Sequence, residues 1–160
     1  MNTQFTQALF HSRGGVAALV LRVPVGLILA AHGAQKLFGW FGGYGLEGTG
    51  QWLASIGLAP GTLMALLAGG AEFFGGLALV LGLLARPAAL VSAFTMLVAI
   101  FAVHIGNGLF MANNGYEYAL TLFAATAALA IQGAGRFALD NLLLERLGGA
   151  GHGRSAASGQ

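Results

Sequence analysis

No cysteine occurs in the 160 residues. That absence excludes a structural disulfide, a thiol redox couple, a thiolate metal site and a lipid anchor on cysteine. Charge is nearly as scarce. Only 8% of residues are Asp, Glu, Lys or Arg, where a soluble domain carries roughly 25%. Such a chain cannot cover a surface that faces water. Basic clusters are missing too, and the net charge is only +2, so no nucleic-acid partner is expected. What fills the sequence is apolar: 57% hydrophobic residues and a mean hydropathy of +0.78. The 27 glycines suit helices packed closely in lipid.

These properties predict an all-α integral membrane protein, a four-helix bundle in a lipid bilayer. The spans are expected at about 16–38, 62–84, 88–105 and 116–132, within a membrane domain of 16–135. Residues 1–15 form a polar leading segment. Arg22 interrupts the first apolar run, which also continues past signal length, so it does not read as a cleaved signal. A long first connection follows, rich in glycine and aromatics: Trp40, Phe41, Tyr44 and Trp52. Trp and Tyr favour the headgroup layer. A short helix is expected at 51–56, capped by Thr49 and ended by Gly57. Ala85-Arg86-Pro87 reads as a tight turn. Residues 136–147 read as a surface helix, and 148–160 as a disordered tail within a cytoplasmic end segment of 136–160.

Arg13, Arg86, Arg136, Arg146 and Arg154 all fall on one side of this arrangement. The positive-inside bias then places both termini in the cytoplasm.

The first span carries Arg22, His32 and Lys36. His32 and Lys36 are one helical turn apart. Arg22 lies about four turns before Lys36, on nearly the same side. A charge facing lipid costs several kcal/mol, so this stripe is expected to face protein, a cavity or headgroups. Glu72 stands about 15 Å into the second span, near mid-membrane. Its neighbours one turn away include Ala68, Gly69, Gly75 and Gly76, a face that lets another backbone approach. Glu72 is therefore expected to point inward and meet Arg22, His32 or Lys36. It is read either as a proton-accepting or ligand-binding carboxylate, or as a structural clamp. His104 and Glu117 belong to the same leaflet as His32 in an antiparallel bundle. Each also has a plainer explanation: His104 as a packed interfacial side chain, Glu117 as an acid favoured at a helix N-terminus. No metal site is expected, because Glu-x-x-His and His-x-x-His spacings are absent.

The run His32-Gly33-Ala34-Gln35-Lys36-Leu37 closing the first span resembles the DoxX family of small bacterial membrane proteins. So do Arg22, Glu72 followed by Gly75-Gly76 and Gly82, and Glu117 opening the last span. The resemblance implies a four-helix inner-membrane protein. The family takes its name from a proposed terminal quinol oxidase subunit. Relatives act in thiosulfate:quinone oxidoreduction and in an oxidoreductase complex concerned with oxidative stress.

The expected function is that of a small membrane subunit of a redox or oxidative-stress complex. In this reading Arg22, His32, Lys36, Glu72 and Glu117, with His104 nearby, bind a quinone-like ligand or relay protons. Quinone is the one cofactor the reading admits, and redox proteins the partners. Two alternatives stay open: a small-solute transporter or channel working as a homo-oligomer, and a structural assembly factor without a ligand of its own.

Overall fold

The computed structural model describes residues 15–144, and every regular element among them is helical. The expected disordered tail and the far end of the expected surface helix lie outside the described residues.

Helix α1, Val16–Phe38, runs for 23 residues and closes on Gly39 at φ 71°. In that left-handed conformation a side chain would be strained. Helix α2 occupies Gly45–Ser55, longer and earlier than the expected 51–56 helix. Thr49 therefore sits inside it, buried, and caps nothing. Helix α3, Gly61–Leu81, ends before the expected Leu84, because Gly82 turns left-handed and its N–H bonds back to Leu79 O. The tight turn thus falls at 82–84, and Ala85-Arg86-Pro87 instead opens helix α4, Ala85–Ala99. Proline fits there, since N–H groups of a first turn have no helical partner. A π-helical turn, Ile100–His104, and a 3-10 turn, Ile105–Asn107, extend α4. Helix α5 is Glu117–Gln132. A last helical stretch covers 139–144, later than the expected start at 136.

Among the described residues, three helical segments are long and apolar enough to cross a membrane: Val16–Phe38, Gly61–Leu81 and Ala85–Asn107. The apolar α5 has 16 residues, about 24 Å of helix, against a hydrocarbon layer of roughly 30 Å. Leu27, Leu66, Phe74, Leu90, Phe94 and Ile131 are exposed, which suits helices bathed in lipid.

Helix α1 packs most extensively on α3, and α4 on α5. Glycine makes the first contact possible. A Cβ on Gly76 would stand 2.5 Å from Ala30 N and Gly26 O, and one on Gly26 would stand 2.6 Å from Gly76 O. Gly69 faces Leu37 and Lys36 of the same helix α1. Gly75 faces α4 instead, where a Cβ would lie 2.8 Å from Ser92 Oγ. Adjacent glycines thus serve two different neighbours. Leu29, Leu79, Met96, Leu122 and Leu129 fill the core between the pairs.

Candidate functional site

The tight α1–α3 contact fixes which polar groups meet. The helices run antiparallel, so the last turn of α1 lies against the middle of α3. Lys36 Nζ stands 2.5 Å from Glu72 Oε2. The Glu72 side chain is 4% exposed and that of Lys36 28%. The carboxylate is thus sealed in the bundle, while the ammonium keeps part of its surface free. Its long apolar stem lets the charged head reach the carboxylate across the helix contact.

His32 lies one turn before Lys36 and borders the same cavity. Its Nε2 is 3.5 Å from the Tyr118 hydroxyl of α5, with ring centroids 5.7 Å apart. Thr49 of α2 directs its hydroxyl at Lys36 O, 3.5 Å away. His104 ends the π turn, and its Nδ1 is 2.9 Å from Asn114 O. Lys36, Glu72, His32, Tyr118, Thr49 and His104 all line one cavity of about 900 Å³. The rest of the lining is mainly apolar, including Leu29, Met64, Leu67, Phe94, Met96 and Leu122. The chamber lies between the α1–α3 pair and the C-terminal half of α4 with the N-terminal half of α5. It is large for a ligand site, near the top of the range of roughly 300–1,000 Å³.

Two expected members of the group lie elsewhere. Arg22 does not approach Glu72. Fourteen residues separate it from Lys36, about 21 Å along the helix, and antiparallel packing sets it against the other end of α3. There its guanidinium donates to Leu79 O at 2.7 Å and to Val80 O and Phe137 O at 2.5 Å. It supplies donors to carbonyls at the end of α3, where the helix carries partial negative charge. Glu117 also stays out of the cavity. Its Oε1 accepts the N–H of Met111 at 2.6 Å and ties down the 108–116 loop. The cationic stripe is thus divided between two ends of the bundle.

Two residues escaped the sequence reading. Tyr118 sits one position beyond Glu117, hence about 100° around the helix, and only the packing of α5 turns it inward. Asp140, 2% exposed, spans the turn that Arg22 holds. Its Oδ1 accepts from Leu84 N at 2.7 Å and its Oδ2 from Ala85 N at 3.0 Å, capping α4. Its own N–H bonds Gly82 O at 3.0 Å. Burial pushes the Asp140 carboxyl above its ordinary value, opposed by those two N–H groups and by Arg22. Its only sequence signal was an acid among apolar residues, at the right distance for no recognisable capping motif.

Among the described residues no group of three His, Asp or Glu gathers closely enough to hold a metal ion. The polar set instead offers a carboxylate, an ammonium, an imidazole and a phenol beside an apolar chamber. It can donate hydrogen bonds to a carbonyl or hydroxyl oxygen, accept one at Glu72, and pass a proton between them.

Comparison with known proteins agrees with the membrane character. The DoxX family model matches residues 17–105. The chain is 34% identical over 125 residues to "Putative oxidoreductase CatD" of Bacillus subtilis, covering 78% of this chain and 85% of that protein. It is also 34% identical over 134 residues to "Inner membrane protein YqjF" of Escherichia coli, covering 80% and 92%. No solved structure matches.

Proposed function

Because the chain belongs to the DoxX family, we propose that it is a small inner-membrane subunit of a redox or oxidative-stress complex, and that its chamber binds a quinone-like ligand. The observation that carries this reading is the chamber itself. It is a mainly apolar space of about 900 Å³ whose wall also carries the paired Lys36 and Glu72 and, one turn before Lys36, His32 beside Tyr118. A planar ring with carbonyl oxygens matches that division: apolar body against Leu29, Met96 and Leu122, oxygen toward the polar end. The residues fit such a group by their chemistry. Lys36 and His32 donate hydrogen bonds to a carbonyl oxygen. Glu72 balances Lys36 and takes a proton from a hydroxyl. The quinone would supply the redox chemistry, and the chain holds it and handles protons. The relative whose printed name is that of an oxidoreductase supports the redox class.

In this reading α5 crosses as a fourth span, made long enough by the Gly133–Gly135 segment and a locally thinned bilayer. Both termini lie in the cytoplasm. The test is thermal unfolding of the purified protein in detergent with short-tailed ubiquinone and menaquinone analogues, oxidised and reduced. Binding raises the midpoint in proportion to the logarithm of ligand concentration above Kd, and Lys36→Met lowers the response. No shift with any of the four ligands would overturn the reading.

A further inference from the structure

A second, smaller cavity of about 480 Å³ lies against the first. Its walls are Gln35, Gly42, Gly43, Tyr44 and Gly48, together with Lys36, Thr49 and Trp52. The last three line the large chamber as well. Gly42 and Tyr44 are exposed, Tyr44 at 85%, so the smaller cavity opens on the side of the Gly39–Pro60 connection. The large chamber opens differently. Leu67 of α3 and Val91, Phe94 and Val98 of α4 line it yet are 41–66% exposed, and they lie on helices apolar enough to face lipid. Between the two openings stands the pair of Lys36 and Glu72.

We propose that this pair joins a lipid-side chamber to a water-side cavity, so that protons of a membrane-dissolved ligand exchange with the aqueous phase beside α2. The proposal rests on the ligand reading above. The placement of the pair fits it: Glu72, 4% exposed, borders the large chamber alone, and Lys36, 28% exposed, borders both cavities. The proton balance closes without electrons. A ligand hydroxyl gives its proton to the Glu72 carboxylate. The Lys36 ammonium gives one to water in the small cavity. The Glu72 carboxylic acid then reprotonates the Lys36 amine. One proton has left the ligand oxygen and entered the water, and both side chains regain their charge. The other titratable groups on the chamber wall with the pair are His32 from α1, His104 from the π turn after α4 and Tyr118 from α5. They line only the large chamber and the Tyr44 phenol lines only the small cavity, so Lys36 is the ionisable group among those named that borders both spaces.

The sequence makes the test clean. Lys36 is the only lysine and cysteine is absent. Wild-type protein in sealed proteoliposomes is treated from the connection side with a small, charged, membrane-impermeant amine reagent, and the Lys36 peptide is followed by mass spectrometry. In parallel, Thr49→Cys, in the wall shared by both cavities, and Leu66→Cys, exposed on α3 and in neither cavity, are treated with a charged methanethiosulfonate. The proposal expects Thr49→Cys to react at least about tenfold faster than Leu66→Cys. Modification of Lys36 adds support from the unaltered chain. If Thr49→Cys reacts no faster than Leu66→Cys and Lys36 stays unmodified, no water path reaches the pair and the proposal falls. Neither readout needs a ligand. Failure of quinone binding therefore remains distinguishable from failure of water access.

Discussion

Lys36 Nζ and Glu72 Oε2 meet at 2.5 Å between the last turn of α1 and the middle of α3, and the charge they share is nearly hidden on one side only. Removing one partner strands the other. A fully buried pair broken this way costs about 3–5 kcal/mol. Here the loss for Lys36→Met or Glu72→Gln should fall below that range, because Lys36 is 28% exposed and the pair is not fully buried. The double variant Lys36→Met/Glu72→Gln should recover much of the loss in detergent unfolding. It should nonetheless lose the quinone-dependent shift, which separates a binding role from a clamp.

Gly76 should not tolerate a larger side chain. Its Cβ would meet the α1 backbone at Ala30 N and Gly26 O, which cannot move aside as a flexible side chain would. Gly76→Leu should lower stability by at least about 1–3 kcal/mol, the cost of overpacking. Gly70, six residues earlier on α3, has no atom within 4 Å of the same position. Gly70→Leu should be neutral or stabilising, since glycine costs about 0.8–1 kcal/mol in a helix. Equal losses at the two sites would contradict the α1–α3 contact.

Asp140 gives a pH signature. Burial raises its pKa in the folded state above the ordinary 3.8, so the native protein holds that proton more tightly than the unfolded chain does. The stabilisation from this group is fully present below pH 3.8 and is lost as pH rises through the folded value. The unfolding midpoint of wild type minus that of Asp140→Asn should therefore fall as pH climbs from about 3.5 toward neutrality. A difference that grows over the same interval would show that the cap and Arg22 outweigh burial.

Orientation can be read with reporters. Fusions after Gly135 and within 42–50 should report opposite sides of the membrane, the first cytoplasmic. The same side for both would mean that α5 does not cross, or that α1 and α3 are oriented otherwise.

The membrane character was legible from composition alone, because an 8% charged chain has no other stable surroundings. The long apolar helices followed from run length. Helix ends were less legible. The turn at 82–84 and the full extent of α2 depend on backbone conformation at Gly82 and on the tight meeting of Gly50 with Thr62. Neither announces itself in a residue pattern. The glycines beside Glu72 were visible as a packing face, but their counterparts Gly26 and Gly33 on α1 acquire meaning only when the two helices are laid together.

The sequence by itself determined that Glu72, a charge deep in an apolar helix, must find company, and that the first helix held three candidates. It could not choose among them. A helical repeat puts Arg22, His32 and Lys36 near one face, but the axial offset between two helices is set by which small residues interlock. The meeting of Gly26 with Gly76 sets that offset. It brings Lys36 to Glu72, leaves His32 facing Tyr118, and sends Arg22 to the far end of α3, beside an aspartate about 120 positions away in the chain. Cost in lipid is a property of each residue and can be read one position at a time; partnership is a property of helix register, and only the tertiary structure decided it.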